Sequence, residues 1–160
     1  MAERQPRAAF RFTTTWEVPA APGRVFQTLA DLSAYPAWWP QVEIQEIRPD
    51  QTCLVHVRGL LPRRIQVTLS PRTADEVVHR LGIWVSGDLQ GWAQWLLGPG
   101  REPGTTLARY HHEVTLNASR LRSVALSGPV RLNHAWLFRQ GHRGLVRHLD
   151  SSVAGTRPTH

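Results

Sequence analysis

Val130 to Leu149 reads VRLNHAWLFRQGHRGLVRHL. At about 100 degrees per residue this stretch gathers Val130, Asn133, His134, Leu137, Phe138, Gly141, Leu145 and Leu149 on one face. The opposite side carries Arg139, Arg143 and Arg147, which suits solvent, while Leu132, Trp136 and Val146 fall outside the main stripe. The spacing predicts one long amphipathic helix over about 130–149, preceded by a break at Gly128-Pro129. Two polar residues, Asn133 and His134, lie inside its apolar stripe.

A helix with a broad apolar face needs a surface to cover, and the chain before it supplies one. From Val42 to Val114, turn signals at Pro49-Asp50, Gly59 to Pro62, Pro71 to Asp75, Gly87-Asp88 and Gly98 to Gly104 separate a series of strands. Short connections imply antiparallel neighbours, because parallel pairing needs crossovers of about a dozen residues or more. Further upstream, Phe10, Phe12, Thr14, Trp16 and Val18 alternate onto one face of a first strand. Pro22-Gly23 then opens a helix in which Val25, Phe26, Leu29 and Leu32 recur, ending near Asp31 to Ser33. The next segment, Tyr35-Pro36-Ala37-Trp38-Trp39-Pro40, is bracketed by prolines that forbid a long helix, so its three aromatics must pack against something. The expected class is α+β: a curved antiparallel sheet wrapped around a long C-terminal helix, with two short helices after the first strand. Residues 1–8 are expected to be a flexible N-terminus, 9–150 one ligand-binding domain, and 151–160 a flexible tail.

Composition sets outer bounds on function. The 160 residues, 41% hydrophobic and 19% charged, fit one globular domain. No apolar run approaches the roughly 20 residues of a membrane span, and the N-terminus has no secretory pattern, so a cytoplasmic location is expected. All 19 basic residues are arginine, against 12 acidic residues, for a net charge of +7. They are dispersed from Arg4 to Arg157 with only Arg63 and Arg64 adjacent, which argues against specific nucleic-acid recognition and leaves weak attraction to an anionic membrane surface. Cys53, alone, reads as a core thiol.

The chemistry-bearing residues converge on a cavity. Ala108, Tyr110, His112 and Val114 share one strand face, with Arg109, His111 and Glu113 on the other, so His111-His112-Glu113 does not make a metal site. No phosphate loop, dinucleotide fingerprint or nucleophile elbow is present, and neither a cofactor nor a metal is expected. Leu89, Gly91, Ala93 and Trp95 share another face, where the two small residues would leave space; Gly91 alternatively marks a bulge or bend. Asn133 and His134 either meet a ligand or hydrogen-bond the protein to fix the helix, since a buried polar group must find a partner. Trp16, Trp39, Tyr110, His112, Asn133 and His134 are expected to share one enclosed pocket, with Gly91, Trp95 and Leu137 completing its wall. Gly91→Leu is then expected to fill it.

Four stretches carry a family likeness: Trp16-Glu17-Val18-Pro19 leading to Asp31 and the Tyr35–Pro40 knot; Gly59-Leu60-Leu61-Pro62; Ser86-Gly87-Asp88-Leu89-Gln90-Gly91; and Asn133-His134-Ala135-Trp136. Together they resemble the START-like, or Bet v 1-like (SRPBCC), superfamily, and within it the bacterial polyketide cyclase/dehydrase and lipid-transport proteins. The resemblance implies a helix-grip fold with a deep cavity for lipids, polyketides, isoprenoid quinones or hormones. This chain departs from such relatives in carrying His112 where an aromatic often stands and Ala135 where an acid often follows the helix histidine. The implied function is binding or carriage of a hydrophobic small molecule. A cyclase/aromatase-dehydratase using acid-base residues of the cavity, and a basic protein-interaction module, are the alternatives.

Overall fold

The computed structural model describes residues 9–116 and 127–154. In chain order it contains β1 (Ala9–Val18), α1 (Pro22–Ala30), a 3-10 turn (Leu32–Ala34), α2 (Tyr35–Trp38), β2 (Val42–Ile47), β3 (Cys53–Val57), β4 (Ile65–Asp75), β5 (Arg80–Gly87), β6 (Leu89–Pro99), β7 (Thr106–Leu116) and α3 (Ser127–Ala154). The strands form one seven-stranded sheet in the order β1-β7-β6-β5-β4-β3-β2, every pairing antiparallel. The curved sheet grips α3, and the two short helices follow the first strand as the sequence implies.

Local chemistry explains most boundaries. Pro22 occupies the first turn of α1, where its missing N–H has no helical partner to lose, and Val25, Phe26 and Leu29 form the buried face. Pro36 plays the same part in the four-residue α2. Between β5 and β6 a single residue, Asp88, makes the connection. Its carboxylate accepts the Gln66 N–H at 2.9 Å and its own N–H donates to the Gln66 carbonyl at 3.0 Å. Gly87, at φ 110, lies so close to that carbonyl that a Cβ would sit 2.8 Å from it. The Gly-Asp pair therefore locks the reversal to β4.

Two boundaries differ from expectation. Pro71 to Asp75 does not end a strand: β4 runs through it, and the register shifts between Pro71 and Thr73 instead. A bulge absorbs the proline's missing donor and moves the reversal to residues 76–79, where His79 takes φ 49. The bulged Arg72 lies over the rings of Trp84 and Trp92, at 4.7 and 4.9 Å. The second difference is α3, which begins at Ser127 and takes Pro129 into its first turn rather than starting after it. It also continues to Ala154, four residues into the expected tail, while 1–8, 117–126 and 155–160 lie outside the described residues. No helix among the described residues is long and apolar enough to cross a membrane.

The inward stripe of α3 meets the core at Leu137, Phe138, Leu145 and Leu149. Of the three residues outside that stripe, Trp136 packs on the edge of the core, Val146 is half-buried, and Leu132 is 65% exposed. The aromatic knot finds its partner here too. A Cβ at Gly141 would meet the Trp39 ring at 2.7 Å, and one at Gly144 would meet the Trp38 carbonyl at 1.7 Å. Two glycines let α2 press directly on the long helix.

Candidate functional site

A cavity of about 630 Å³ lies between the concave face of the sheet and the first half of α3. Strand alternation aims Val55, Val67, Val85, Ala93, Trp95 and Tyr110 at it, and α3 contributes Asn133, His134, Leu137 and Phe138. Its volume falls in the ordinary range for small-molecule pockets, roughly 300–1,000 Å³. Asp31 and Ser33 stand at one rim and Leu61 and Arg63 at another, so the space reaches the surface.

Seven of the nine residues singled out from the sequence line this space: Trp39, Trp95, Tyr110, His112, Asn133, His134 and Leu137. Trp16 does not. It is 2% exposed and lies behind the wall, its ring 4.7 Å from Trp95, 5.9 Å from Trp39 and Phe138, and 5.4 Å from His142. Alternation placed it on the correct face of β1, but the neighbouring indoles fill the intervening space. Gly91 does not line the cavity either. A Cβ there would fall 1.9 Å from the Glu113 carbonyl oxygen, so the glycine serves close pairing of β6 with β7, in an unbroken register. Gly91→Leu would collide with strand backbone instead of filling the pocket. Ala93, 1% exposed and on the lining, is the small residue that leaves the space.

Asn133 has a structural partner. Its Oδ1 accepts the backbone N–H of Leu60 at 2.7 Å, tying α3 to the loop between β3 and β4. Gly59 permits the approach, since a Cβ there would meet that Oδ1 at 2.0 Å. The Gly59-Leu60 and Asn133-His134 motifs are two halves of one contact. Asn133 thus holds the helix to this loop, and its side chain also borders the cavity.

The histidines are different. Both ring nitrogens of His112, and Nε2 of His134, are buried without a hydrogen-bond partner. Their rings lie 5.8 Å apart, and His134 is stacked between Phe12 at 3.8 Å and Phe138 at 4.2 Å. Burial disfavours the imidazolium and pushes His112 down to about 4, with His111 adding repulsion; His134 is pushed to about 3 by burial and then by His112. Both rings are neutral at pH 7. Tyr110 is raised well above the ordinary phenol range by burial and then by Tyr35, so it too stays uncharged. Asp31, at the rim, is the sole carboxylate lining the cavity among the described residues. Phe12 and Phe138 are further wall residues, absent from the expected set although alternation and helical spacing put both on inward faces.

His111 and His112 emerge on opposite faces of β7. His111 turns outward to the Thr13 hydroxyl at 3.1 Å, and no cluster of three His, Cys, Asp or Glu side chains suited to a metal occurs among the described residues.

The architecture is that of the START-like, Bet v 1-type helix-grip proteins. A START superfamily protein from Mycobacterium smegmatis matches with a TM-score of 0.68 at 15% identity, over 88% of this chain and 97% of that one. Ara h 8.0201 matches with a TM-score of 0.66 at 14% identity, over 90% and 99%. The Zhui aromatase/cyclase from Streptomyces sp. R1128 matches with a TM-score of 0.64 at 18% identity, over 94% and 97%. No family model matches the sequence, and no curated protein does. At these identities the likeness is one of fold, and function has to be argued from the cavity.

Proposed function

We propose that the protein binds and carries a hydrophobic small molecule, of lipid, polyketide or isoprenoid-like character, in the cavity between sheet and α3. The observation that carries this reading is the 630 Å³ space walled by aliphatic and aromatic side chains. Such a wall gains free energy from any apolar surface it removes from water, at about 25 cal/mol per Å². Tyr110, His112 and His134 supply the few polar groups that orient the ligand, while Trp39, Trp95 and Leu137 supply apolar wall.

The cyclase alternative has less support. General acid-base chemistry at neutral pH needs a group whose pKa lies near the working pH, and both cavity histidines sit well below it. Neither is paired with a carboxylate. The Zhui aromatase/cyclase shares the fold, and turnover of a polyketide-like substrate that disappears in His134→Ala would establish the enzymatic reading instead.

Uptake of the neutral fluorophore N-phenyl-1-naphthylamine, and native mass spectrometry of whatever co-purifies, test the carrier. The wild-type protein is expected to take up the probe. Ala93→Leu adds bulk at a residue that faces the lumen, and is expected to weaken uptake at least roughly tenfold while the fold survives, at a cost of about 1–3 kcal/mol from overpacking. Equal uptake by a folded Ala93→Leu variant would place the probe elsewhere.

A further inference from the structure

The two edges of the sheet are protected unequally. At one end β2 is six residues long and shifts register between Ile44 and Glu46, the kind of bulge that blunts a free edge. At the other end β1 is ten residues long, holds no proline and pairs with β7 in unbroken register. One carbonyl on its free side is occupied: His142 Nε2 donates to the Glu17 oxygen at 2.9 Å. In an antiparallel strand the N–H and C=O of one residue point to the same side, and successive residues alternate. The backbone groups of Thr13 and Thr15 therefore face the same free side as Glu17, where no group among the described residues bonds to them. Alongside, a crevice of about 380 Å³ separates β1 from α3. Phe12, Thr13 and Thr14 line one side of it, and Arg131, Arg139 and His142 the other. Both arginines are exposed and neither is in an ion pair, and no carboxylate lines the crevice among the described residues. Arg131 lies over the Phe12 ring at 5.7 Å.

Unpaired strand groups recognise another extended backbone, and unpaired guanidiniums recognise carboxylates. We propose that the crevice between β1 and α3 docks an acidic, extended segment of a partner protein, which joins the sheet beside β1 as an eighth strand. Arg131 and Arg139 stand eight residues apart, about 12 Å along a helix. Four residues of a strand cover about 14 Å, so two acidic side chains on one face of the segment, at i and i+4, reach both guanidiniums. A second copy of this chain fits the site less well, because pairing two β1 edges brings Arg11, Arg131 and Arg139 toward their own counterparts. A small anion answers the guanidiniums but leaves the strand edge unpaired. The crevice shares the Phe12, His134 and Phe138 rings with the cavity wall, yet the inference does not depend on the carrier reading.

The test is fluorescence anisotropy with a fluorescein-labelled peptide of alternating glutamate and threonine, in about 0.1 M salt so that diffuse charge attraction is screened beyond ~10 Å. Wild type is expected to bind it at least roughly tenfold more tightly than the same peptide with lysine in place of glutamate. A peptide of alternating glutamate and proline keeps the negative charge but cannot form a strand ladder, and it should bind at least roughly tenfold more weakly. Arg131→Gln/Arg139→Gln is expected to weaken binding of the glutamate–threonine peptide to a similar degree, whereas Arg143→Gln/Arg147→Gln, equal in charge but outside the crevice, should leave it nearly unchanged. Thr15→Pro removes an edge N–H that faces away from β7 and should also abolish most of the binding. With peptide bound, the amides of Thr13 and Thr15 are expected to become protected from hydrogen exchange, as those of Thr14 and Trp16 already are within the β1–β7 ladder. No binding by wild type, equal losses for the two arginine pairs, or unprotected Thr13 and Thr15 amides would overturn the docking site. Equal binding of the glutamate–proline peptide would reduce it to an anion groove, and dimerisation of wild type that Thr15→Pro abolishes would give the edge to a second copy; either result refutes the proposal. Far-ultraviolet circular dichroism checks that the variants fold, and if Thr15→Pro does not, the glutamate–proline peptide puts the same question to the wild-type protein.

Discussion

The two halves of α3 face the same sheet and do opposite things with it. From Val130 to Phe138 the helix borders empty space, and its inward side chains include a histidine whose Nε2 has no hydrogen-bond partner. From Gly141 to Leu149 it is pressed against α2 and the core, with Leu145 wholly buried and two glycines admitting the indole of Trp39 and the backbone of Trp38. One half holds a cavity open and the other holds the molecule together. A cavity forfeits dispersion contacts along its lining, so a protein that keeps one needs tight packing elsewhere.

The sharpest way to break the comparison is at Gly144. A Cβ there overlaps the Trp38 carbonyl oxygen at 1.7 Å, and backbone, unlike a flexible side-chain end, cannot swing aside. Gly144→Ala is therefore expected to cost roughly 3 kcal/mol, toward the upper end of overpacking penalties, and to lower the denaturant midpoint. Ala135→Gly, an exposed position on the cavity half, should cost only about 1 kcal/mol, the helix-propensity difference.

Acid should attack the other half. His112 and His134 have folded-state values of about 4 and about 3, below the ordinary 6.5, so the folded protein resists protonating them while the unfolded chain does not. Stability from this source is fully present above about pH 6.5 and is lost as the pH falls toward 4 and then 3. By pH 4.5 each ring should have surrendered roughly 2 kcal/mol. Thermal melts across pH 4 to 8 are expected to show this fall, and His112→Phe should flatten it. A melt as pH-dependent in His112→Phe as in wild type would mean that the acid sensitivity resides in other groups.

The strand and helix periods made the architecture legible because each element buries one face, and burial writes a period of two or of 3.6 into the residues. Two kinds of feature were not legible. Pro71 read as a strand end because a proline normally stops pairing, whereas a bulge absorbed it; periodicity says nothing about where a sheet will accept an extra residue. Alternation puts Trp16 and Gly91 on inward faces, but a face is two-dimensional and a cavity occupies only part of it. Whether an inward residue meets space, a neighbouring indole or the next strand depends on side-chain volumes summed across the sheet. Trp95 and Ala93 reach the lumen while Trp16, on the same concave face, is covered.

The smallest predicted effect concerns the seam where the cavity half of α3 meets the β3–β4 loop. Asn133→Ala removes the acceptor of the partly buried Leu60 N–H and is expected to cost about 1 kcal/mol. Gly59→Ala should cost a similar amount for a different reason, because its new methyl lies 2.0 Å from Asn133 Oδ1 and must push that side chain off its bond. If the two residues are halves of one contact, their effects cannot add. With Asn133 already truncated, the methyl at residue 59 meets no oxygen and there is no bond left to lose. The double variant is then expected to be about as stable as Asn133→Ala alone, a coupling of roughly 1 kcal/mol in a double-mutant cycle. Additive costs in urea denaturation would show that Gly59 answers to the loop backbone and not to the helix. Probe uptake should survive Asn133→Ala, because the side chain is committed to Leu60, and a large loss of uptake in that variant would return Asn133 to the ligand.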